Sequence, residues 1–571
     1  MPEIAENITQ QENIDIRKQI VEADHHRSFE TYIERKPQSL FVRIIITTRH
    51  FTGLLLGGGF AYLRHRRQIK AKKKLKYTFL KLFLWLHWPF LNKKLLNQDF
   101  SVQLRRRLEM LGATYIKLGQ ILSLREDILP KNITDELKKL LDSLPALPYD
   151  RYIELVELEL GQPIHKVFAS VNSNTLGSAS IAQIHRATLR TGEEVVIKML
   201  KPGVRELIQT DSKIIKVFGS ILELFIPSIQ PRNMFREFCD YTNKEVDLTL
   251  EGENAELFGA NFAAHPDIIF PKIYKKYSTK NMLLMEFIRG MKPDERAAAV
   301  LTQEEKEKVV ELGSLSIIQM LYHDGFFHAD LHPGNLLILE EGKVGFIDLG
   351  MVGRFEESTR KSMLYYFNAL VTGDAAGAAR YLSLVARPGK NADPEGFRKE
   401  FTTVAQKWVR SPNFNEFSLG KLIFESTILG SKYGMFFPLE MVLMVKAMIT
   451  FEGVGQVILP GYDVVKISKK HIRNMILNEV NPVELFKHSM QNAPELFDVI
   501  MRAPIVLAEI FKNTERKLLE PPAREPNEGL KPVIFGGFCV LGGAMMASNG
   551  LPWQAYVPMF VLGGLLALRG R

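Results

Sequence analysis

Within eight residues, His328-Ala329-Asp330-Leu331-His332-Pro333-Gly334-Asn335 supplies a carboxylate, two imidazoles and a carboxamide; Asp348-Leu349-Gly350 follows at the end of the apolar stretch Val344–Ile347. Phosphoryl transfer needs this set. Hard oxygen ligands hold Mg²⁺ against nucleotide phosphates, and a carboxylate orients or deprotonates the attacking oxygen. Asn335 and Asp348 suit the metal, and Asp330 suits the catalytic carboxylate. His328 reads as a structural residue that holds this loop through a hydrogen bond. The order His328-x-Asp330-x-His332 could suggest a zinc or iron cluster, but no second metal-ligand motif such as H-E-x-x-H accompanies it.

Three upstream segments could position a nucleotide. Val195-Val196-Ile197-Lys198 is an apolar strand ending in one lysine, after a strand at 184–189 and a turn at Arg190-Thr191-Gly192-Glu193. A lysine on such a strand is costly to bury unless it meets phosphate oxygens or a carboxylate. Ahead of it, Leu176-Gly177-Ser178-Ala179-Ser180-Ile181-Ala182-Gln183, continuing into Ile184, is built largely of small residues that let backbone lie against phosphates. Leu283-Leu284-Met285-Glu286-Phe287-Ile288-Arg289-Gly290 reads as an apolar strand running into a hinge, where the backbone at Glu286 and Ile288 would bind adenine.

Small-residue loop, lysine, hinge, Asp…Asn and Asp-x-Gly follow one another in the protein-kinase order. Each piece alone is weak, and together they predict an α+β, bilobal protein-kinase-like fold. Three departures stand out. The loop lacks Gly-x-Gly-x-x-Gly, Ala329 occupies the place of the usual Arg, and no Ala-Pro-Glu follows Asp348. All three argue against a protein substrate.

With these residues in hand, the chain resembles the UbiB/ADCK atypical kinase-like family of ubiquinone biosynthesis over roughly residues 100–460, and its C-terminal membrane hairpin resembles the bacterial UbiB branch. The most specific mark is the KxGQ motif, Lys117-Leu118-Gly119-Gln120, continuing as Ser123, Arg125, Asp127 and Pro130. On one helix, Lys117, Gln120 and Asp127 would share a polar stripe, which by itself is an ordinary solvated face. The resemblance implies that this helix packs over the nucleotide site and restricts what enters. It also implies that Glu245-Val246-Asp247 is the ExD motif, that Glu251 is the helix glutamate paired with Lys198, and that extra helices are inserted in the small lobe. The competing, less favoured reading of Lys198 with Glu251 is a structural ion pair. Gly177 and Ser178 stand where the family's loop has alanines; Gly177 adds backbone freedom and bears on nucleotide preference.

Composition bounds the rest. The 571 residues carry 74 Lys and Arg against 64 acids, a net charge of +10, which suits a phosphate ligand, an anionic membrane or nucleic acid, and composition alone does not choose among them. Two cysteines, Cys239 and Cys539, exclude a disulfide scaffold and a Cys-rich metal site. From Pro532 to Leu568 there is no charged residue, and Ser548-Asn549-Gly550-Leu551-Pro552 breaks the run with turn chemistry. A two-helix membrane hairpin is expected there, with basic flanks that put both ends in the cytoplasm. Phe51–Leu63 is uncharged but too short to span, and it runs into a basic segment from Arg64 to Lys76 followed by Tyr77, Phe79, Phe83, Trp85 and Trp88. That pattern reads as an interfacial helix on anionic lipid, with nucleic-acid binding disfavoured because no recognised module accompanies it.

The expected organisation is an acidic and mixed segment 1–40, a basic-aromatic interfacial segment 41–98, and a helical extension 99–165 carrying KxGQ. A small lobe and hinge follow at 166–290, a large lobe at 291–520, and the hairpin at 532–568. The expected activity is that of an Mg²⁺-dependent ATPase or small-molecule kinase at the cytoplasmic face of the inner membrane. ATP and Mg²⁺ are its expected cofactors. By resemblance its partners are membrane lipids, prenylated quinone precursors and the enzymes that modify them, with no nucleic acid. The glycine-rich hairpin would permit a homodimer. A non-catalytic nucleotide-binding scaffold and an ordinary protein kinase are the competing readings.

Overall fold

A computed structural model describes residues 39–68, 98–140, 146–225, 230–389, 392–410 and 419–462, with isolated positions elsewhere. Residues 1–38, the segment 69–94 and nearly all of the hairpin 532–568 lie outside the described residues. One compact unit comprises residues 1–220 and 228–469, and a second comprises 221–227 and 470–571.

Among the described residues, the first unit opens with five helices: α1 (Leu40–Gln68), α2 (Phe100–Leu111), α3 (Ala113–Ser123), α4 (Lys131–Leu137) and α5 (Tyr149–Leu160). Helices α2 and α3 are separated at Gly112, whose φ of 94° is open to glycine but strained for side-chain-bearing residues. Phe51–Leu63 lies inside α1, which starts eleven residues earlier than the uncharged stretch and is 29 residues long. Among the described residues, two helical stretches, 40–58 and 439–458, are long and apolar enough to cross a membrane by length and composition.

A four-stranded antiparallel sheet follows, ordered β1-β2-β3-β5, from β1 (Phe168–Ser178), β2 (Ala182–Leu189), β3 (Glu194–Leu200) and β5 (Met282–Glu286). Strand β3 is apolar at nearly every position because both of its faces are covered. Val195, Ile197 and Met199 pack with Tyr152 and Val156 of α5. Val196 and Leu200 face the other way, toward Ile208, Val246 and Leu248. The period-2 rule puts Lys198 on that second face, and the register sets it opposite Ile184 on one side and Leu283 on the other.

Between β3 and β5 the chain inserts α6 (Val204–Phe225), α7 (Pro231–Glu245), α8 (Leu248–Asn261) and the short β4 (Ile268–Ile269). The large lobe then runs through α9 (Glu295–Val300) and α10 (Gln303–Ile318). Two antiparallel strand pairs follow: β6 (Phe326–His328) with β9 (Val352–Arg354), and β7 (Leu336–Ile338) with β8 (Val344–Phe346). Helices α11 (Glu357–Thr372), α12 (Ala375–Val385), α13 (Pro394–Arg410), α14 (Leu419–Lys432) and α15 (Leu439–Ile458) complete it, with a two-residue pair of β10 (Arg387–Pro388) and β11 (Met435–Phe436). Most of α15 is buried, including Met444 and Met448, so in this fold it is a core helix. The arrangement is the bilobal α+β, kinase-like fold, with an N-terminal helical extension and helices inserted in the small lobe.

Candidate functional site

Lys198 and Asp348 are 150 residues apart in sequence, and the fold brings them together. The Lys198 ammonium donates to Glu251 Oε1 at 2.8 Å and to Asp348 Oδ1 at 2.7 Å. Strand β3 supplies the lysine, α8 the glutamate, and the end of the β7–β8 pair the aspartate. Burial works against the charge on Lys198, but Asp348 and Glu251 outweigh it and hold the ammonium protonated. Burial pushes Glu251 up to about 7, with Lys198 opposing it. Desolvation raises Asp348 too, although its side chain is 46% exposed, yet Lys198 pulls its carboxyl down to about 2, and Lys117 adds to that pull.

Asp348 adopts φ of 56°, the left-handed region, which few residues other than glycine and asparagine or aspartate enter. Gly350 makes room beside it: a Cβ there would stand 3.2 Å from Glu251 Oε2 and 3.7 Å from Asp348 Oδ1. Asn254 of α8 donates to Leu349 O at 3.0 Å, so one helix fixes both the lysine's partner and the Asp-Leu-Gly backbone.

The residues of the His328–Asn335 loop are held by short local bonds. His328 Nδ1 accepts from Asp330 N at 3.1 Å, and its Nε2 donates to Ile347 O at 3.3 Å. Burial lowers the His328 pKa, which keeps the ring neutral and suits one donating and one accepting nitrogen. The Asn335 side-chain amide donates to Asp330 O at 3.1 Å, and its backbone carbonyl accepts from Ile347 N at 3.0 Å. The carboxamide oxygen of Asn335 is thereby left for another partner, next to the strand end that carries Asp348.

Those two oxygen donors fit magnesium, which is commonly bound by one or two side-chain oxygens with the substrate's phosphates and water. Buried hydroxyls agree that a polar ligand belongs here. Tyr241 Oη has no protein partner, and its pKa is raised first by burial and then by Glu245, Asp330 and Asp348. Ser180 Oγ, in the β1–β2 turn, is likewise buried without a partner.

The small-residue segment Leu176–Gln183 forms the end of β1, the turn and the start of β2. It lies inside the first hairpin of the sheet, β1–β2, and leads directly into the β2–β3 hairpin that carries Lys198, as the sequence implies. Ala179 N donates to Ala182 O at 2.9 Å, and Lys201 Nζ donates to Ala179 O at 2.8 Å, pinning the turn. The Gln183 carboxamide binds the backbone of Leu147 and the ring of His185. At Gly177 a Cβ would meet nothing within 4 Å, and its φ is not positive, so alanine fits there.

At the hinge, Glu286 N is already bonded to Lys272 O at 2.8 Å and Phe287 N to Glu194 O at 3.0 Å. Glu286 is exposed, while Ile288 is buried. Gly290 follows because the chain must approach β7: a Cβ there would lie 3.0 Å from Ile338 O.

The KxGQ segment forms α3, and Lys117 Nζ lies 2.7 Å from Glu245 Oε2 at the end of α7. Gly119 lets α3 pack directly against Leu140 and Leu108. Gln120 lies on the same helix and is half-buried. The expected stripe is shorter than the sequence suggests: α3 ends at Ser123, so Asp127 lies beyond it, buried and paired with Arg125 at 2.8 Å. Asp247 is the N-cap of α8, accepting from Thr249 N at 3.2 Å, which ties it to helix initiation.

Besides Tyr241, two described residues of the site carried no sequence motif. Asn254 is one. The other is Lys446, whose ammonium donates to Asp330 Oδ1 at 2.6 Å from the middle of α15. Burial pushes the Asp330 carboxyl up and Lys446 pulls it down by more, leaving it below its ordinary value. A lone lysine inside the apolar run Leu439–Phe451 was the available signal.

Comparison with known proteins points to the same kinase-like fold. Residues 139–382 match the family described as the ABC1 atypical kinase-like domain, and residues 409–463 match the UbiB helical domain. A curated protein of Histophilus somni named "Probable protein kinase UbiB" is 28% identical over 86% of this chain and 92% of its own length. Its namesake in Azotobacter vinelandii is 27% identical over 85% of this chain and 91% of its own. An uncharacterized Synechocystis protein is 29% identical over 64% of this chain, and the match spans 63% of that relative's length.

Proposed function

The chain belongs to the UbiB/ABC1 atypical kinase-like family, and on that premise we propose that it is a membrane-associated, Mg²⁺-dependent ATPase or small-molecule phosphotransferase that supports ubiquinone biosynthesis. The observation that carries the reading is the meeting of Lys198 with Glu251 and Asp348 beside Asp330 and Asn335. Lys198, steadied by Glu251, would neutralise the inner phosphates. Asn335 and Asp348 would hold the metal, which supplies charge neutralisation when bound. Asp330 would align the attacking oxygen of water or a lipid hydroxyl and accept its proton.

The missing Arg before Asp330 and the missing Ala-Pro-Glu favour a small acceptor over a peptide. Membrane association is supported by the exposed apolar residues Phe41, Val42, Ile44 and Ile45 on α1, by the basic residues that follow it, and by the uncharged run 532–568. A site held near lipid suits hydrophobic prenylated precursors, which the protein would make accessible to the enzymes that modify them.

The test is phosphate release by the full chain in detergent or vesicles, with and without Mg²⁺. Asp348→Asn removes a carboxylate charge while keeping the shape, and the rate is expected to fall by about a hundred- to a thousandfold. A rate unchanged in that variant, or unchanged by chelating the metal, would defeat the catalytic reading. ATP binding without turnover, even with lipid or a phenol present, would favour the scaffold.

A further inference from the structure

Lys446 is the single basic residue of α15, whose twenty residues carry only two other charges, Glu440 and Glu452. Around it Leu443, Met444, Val445, Ala447 and Met448 are all buried. A lysine in such a surface costs stability unless a carboxylate meets it, and Asp330 does, at 2.6 Å. A purely structural pair in this protein looks different: Arg43 and Asp211 are sealed, with side chains 1% and 0% exposed. Lys446 and Asp330 are 32% and 26% exposed, so this pair stays in reach of solvent and of a ligand.

Asp330's other oxygen is 4.0 Å from His332 Nε2, while His332 Nδ1 is committed to Gly334 N at 3.0 Å. Lys446 is therefore the close cation on the catalytic carboxylate. An ammonium has three donors, and Asp330 uses one.

We infer that Lys446 contacts the substrate, its ammonium bridging Asp330 and an oxygen of the terminal phosphate of a bound nucleoside triphosphate. The inference rests on the phosphoryl-transfer reading above and adds a residue to it. The acceptor oxygen must lie within about 2.6–3.2 Å of the Asp330 carboxylate to give up its proton, and about 3–3.5 Å from the phosphorus it attacks. A cation already bonded to that carboxylate is then within a small side-chain movement of the phosphate oxygens. In the transfer, the acceptor oxygen forms a bond to the terminal phosphorus and the bond to the bridging oxygen breaks. The diphosphate leaves with the electron pair, and Asp330 takes the acceptor's proton. Lys446 stays protonated throughout and neutralises charge on the oxygens in flight. The lysine comes from the helical region beyond the kinase-like core, so that region would complete the site as well as pack against it.

The experiment compares the full-length wild type with Lys446→Met and Lys446→Arg. It measures Mg·ATP and Mg·ADP affinity by titration calorimetry, kcat and KM for phosphate release, and thermal stability. For Lys446→Met, ATP affinity is expected to fall about tenfold while ADP affinity holds within about twofold. Its kcat is expected to fall about a hundredfold, and Lys446→Arg should restore most of the ATP preference. Parallel losses of ATP and ADP affinity together with a lower melting temperature would mean that Lys446 only anchors α15, and would overturn the inference. So would a lower kcat with the ATP-to-ADP preference intact, since Lys446 would then act only through Asp330. A wild type that binds neither nucleotide would fail the functional reading itself, a result distinct from both.

Discussion

Lys198→Met is expected to abolish turnover, with a loss of about a thousandfold or more, and to destabilise the folded chain as well. On the proposed reading, catalysis is almost wholly positioning and charge neutralisation, and Lys198 would be the cation that holds the phosphates. The stability effect has a separate origin. Lys198 is the shared partner of Glu251 and Asp348, and Glu251 is only 5% exposed. Without the ammonium, two carboxylates face each other in a partly desolvated cleft, a loss of up to about 3–5 kcal/mol for a sealed pair and less here because Asp348 is partly open to solvent. A second substitution separates the two effects. In Lys198→Met/Glu251→Gln the repulsion is gone, so the melting temperature should return toward wild type while phosphate release stays lost. Should the double variant regain activity, Lys198 would be a structural residue only.

How much of this was legible in the sequence depends on the range of the signal. The β2–β3 hairpin was readable because an apolar run, a Gly-bearing turn and a lone lysine lie within twenty residues. Strand β1 was not, because it is exposed at most positions and its sequence, Phe168-Ala-Ser-Val-Asn-Ser-Asn-Thr, shows no alternation to mark a buried face. Helices α7 and α8 went unread from periodicity, and only the resemblance implied inserted helices there. The polar stripe over Lys117, Gln120 and Asp127 assumed a continuous helix, whereas the chain leaves helical geometry after Ser123 and buries Asp127 against Arg125. Lys446 is the plainest case. Its partner is 116 residues away, so hydropathy alone reads α15 as core or membrane, and only the fold supplies the reason for its one lysine.

The same logic gives Arg43 the largest stability effect expected outside the site. Its guanidinium donates to Asp211 Oδ1 at 2.6 Å and Oδ2 at 2.8 Å, and to Leu111 O at 2.6 Å. One side chain thus ties α1 to α6 and satisfies a carbonyl at the end of α2, where no intrahelical donor remains. It also lies over the ring of Tyr115, in the helix that carries Lys117. Arg43→Met removes one member of a fully buried pair and is expected to cost about 3–5 kcal/mol in denaturant unfolding of the full chain. Arg43→Met/Asp211→Leu should recover most of that loss, because no buried charge is then left unpaired. Burial already holds the Asp211 carboxyl above its ordinary 3.8, with Arg43 opposing it. Without Arg43 the folded state keeps the proton to higher pH than the unfolded chain does, and so binds more protons between the two values. Stability of the single variant therefore rises as pH falls toward 3.8, and its deficit against wild type should narrow on acidification. A deficit equal at pH about 5 and about 8, or a double variant as unstable as the single, would show that the pair does not join these helices in the way its geometry indicates.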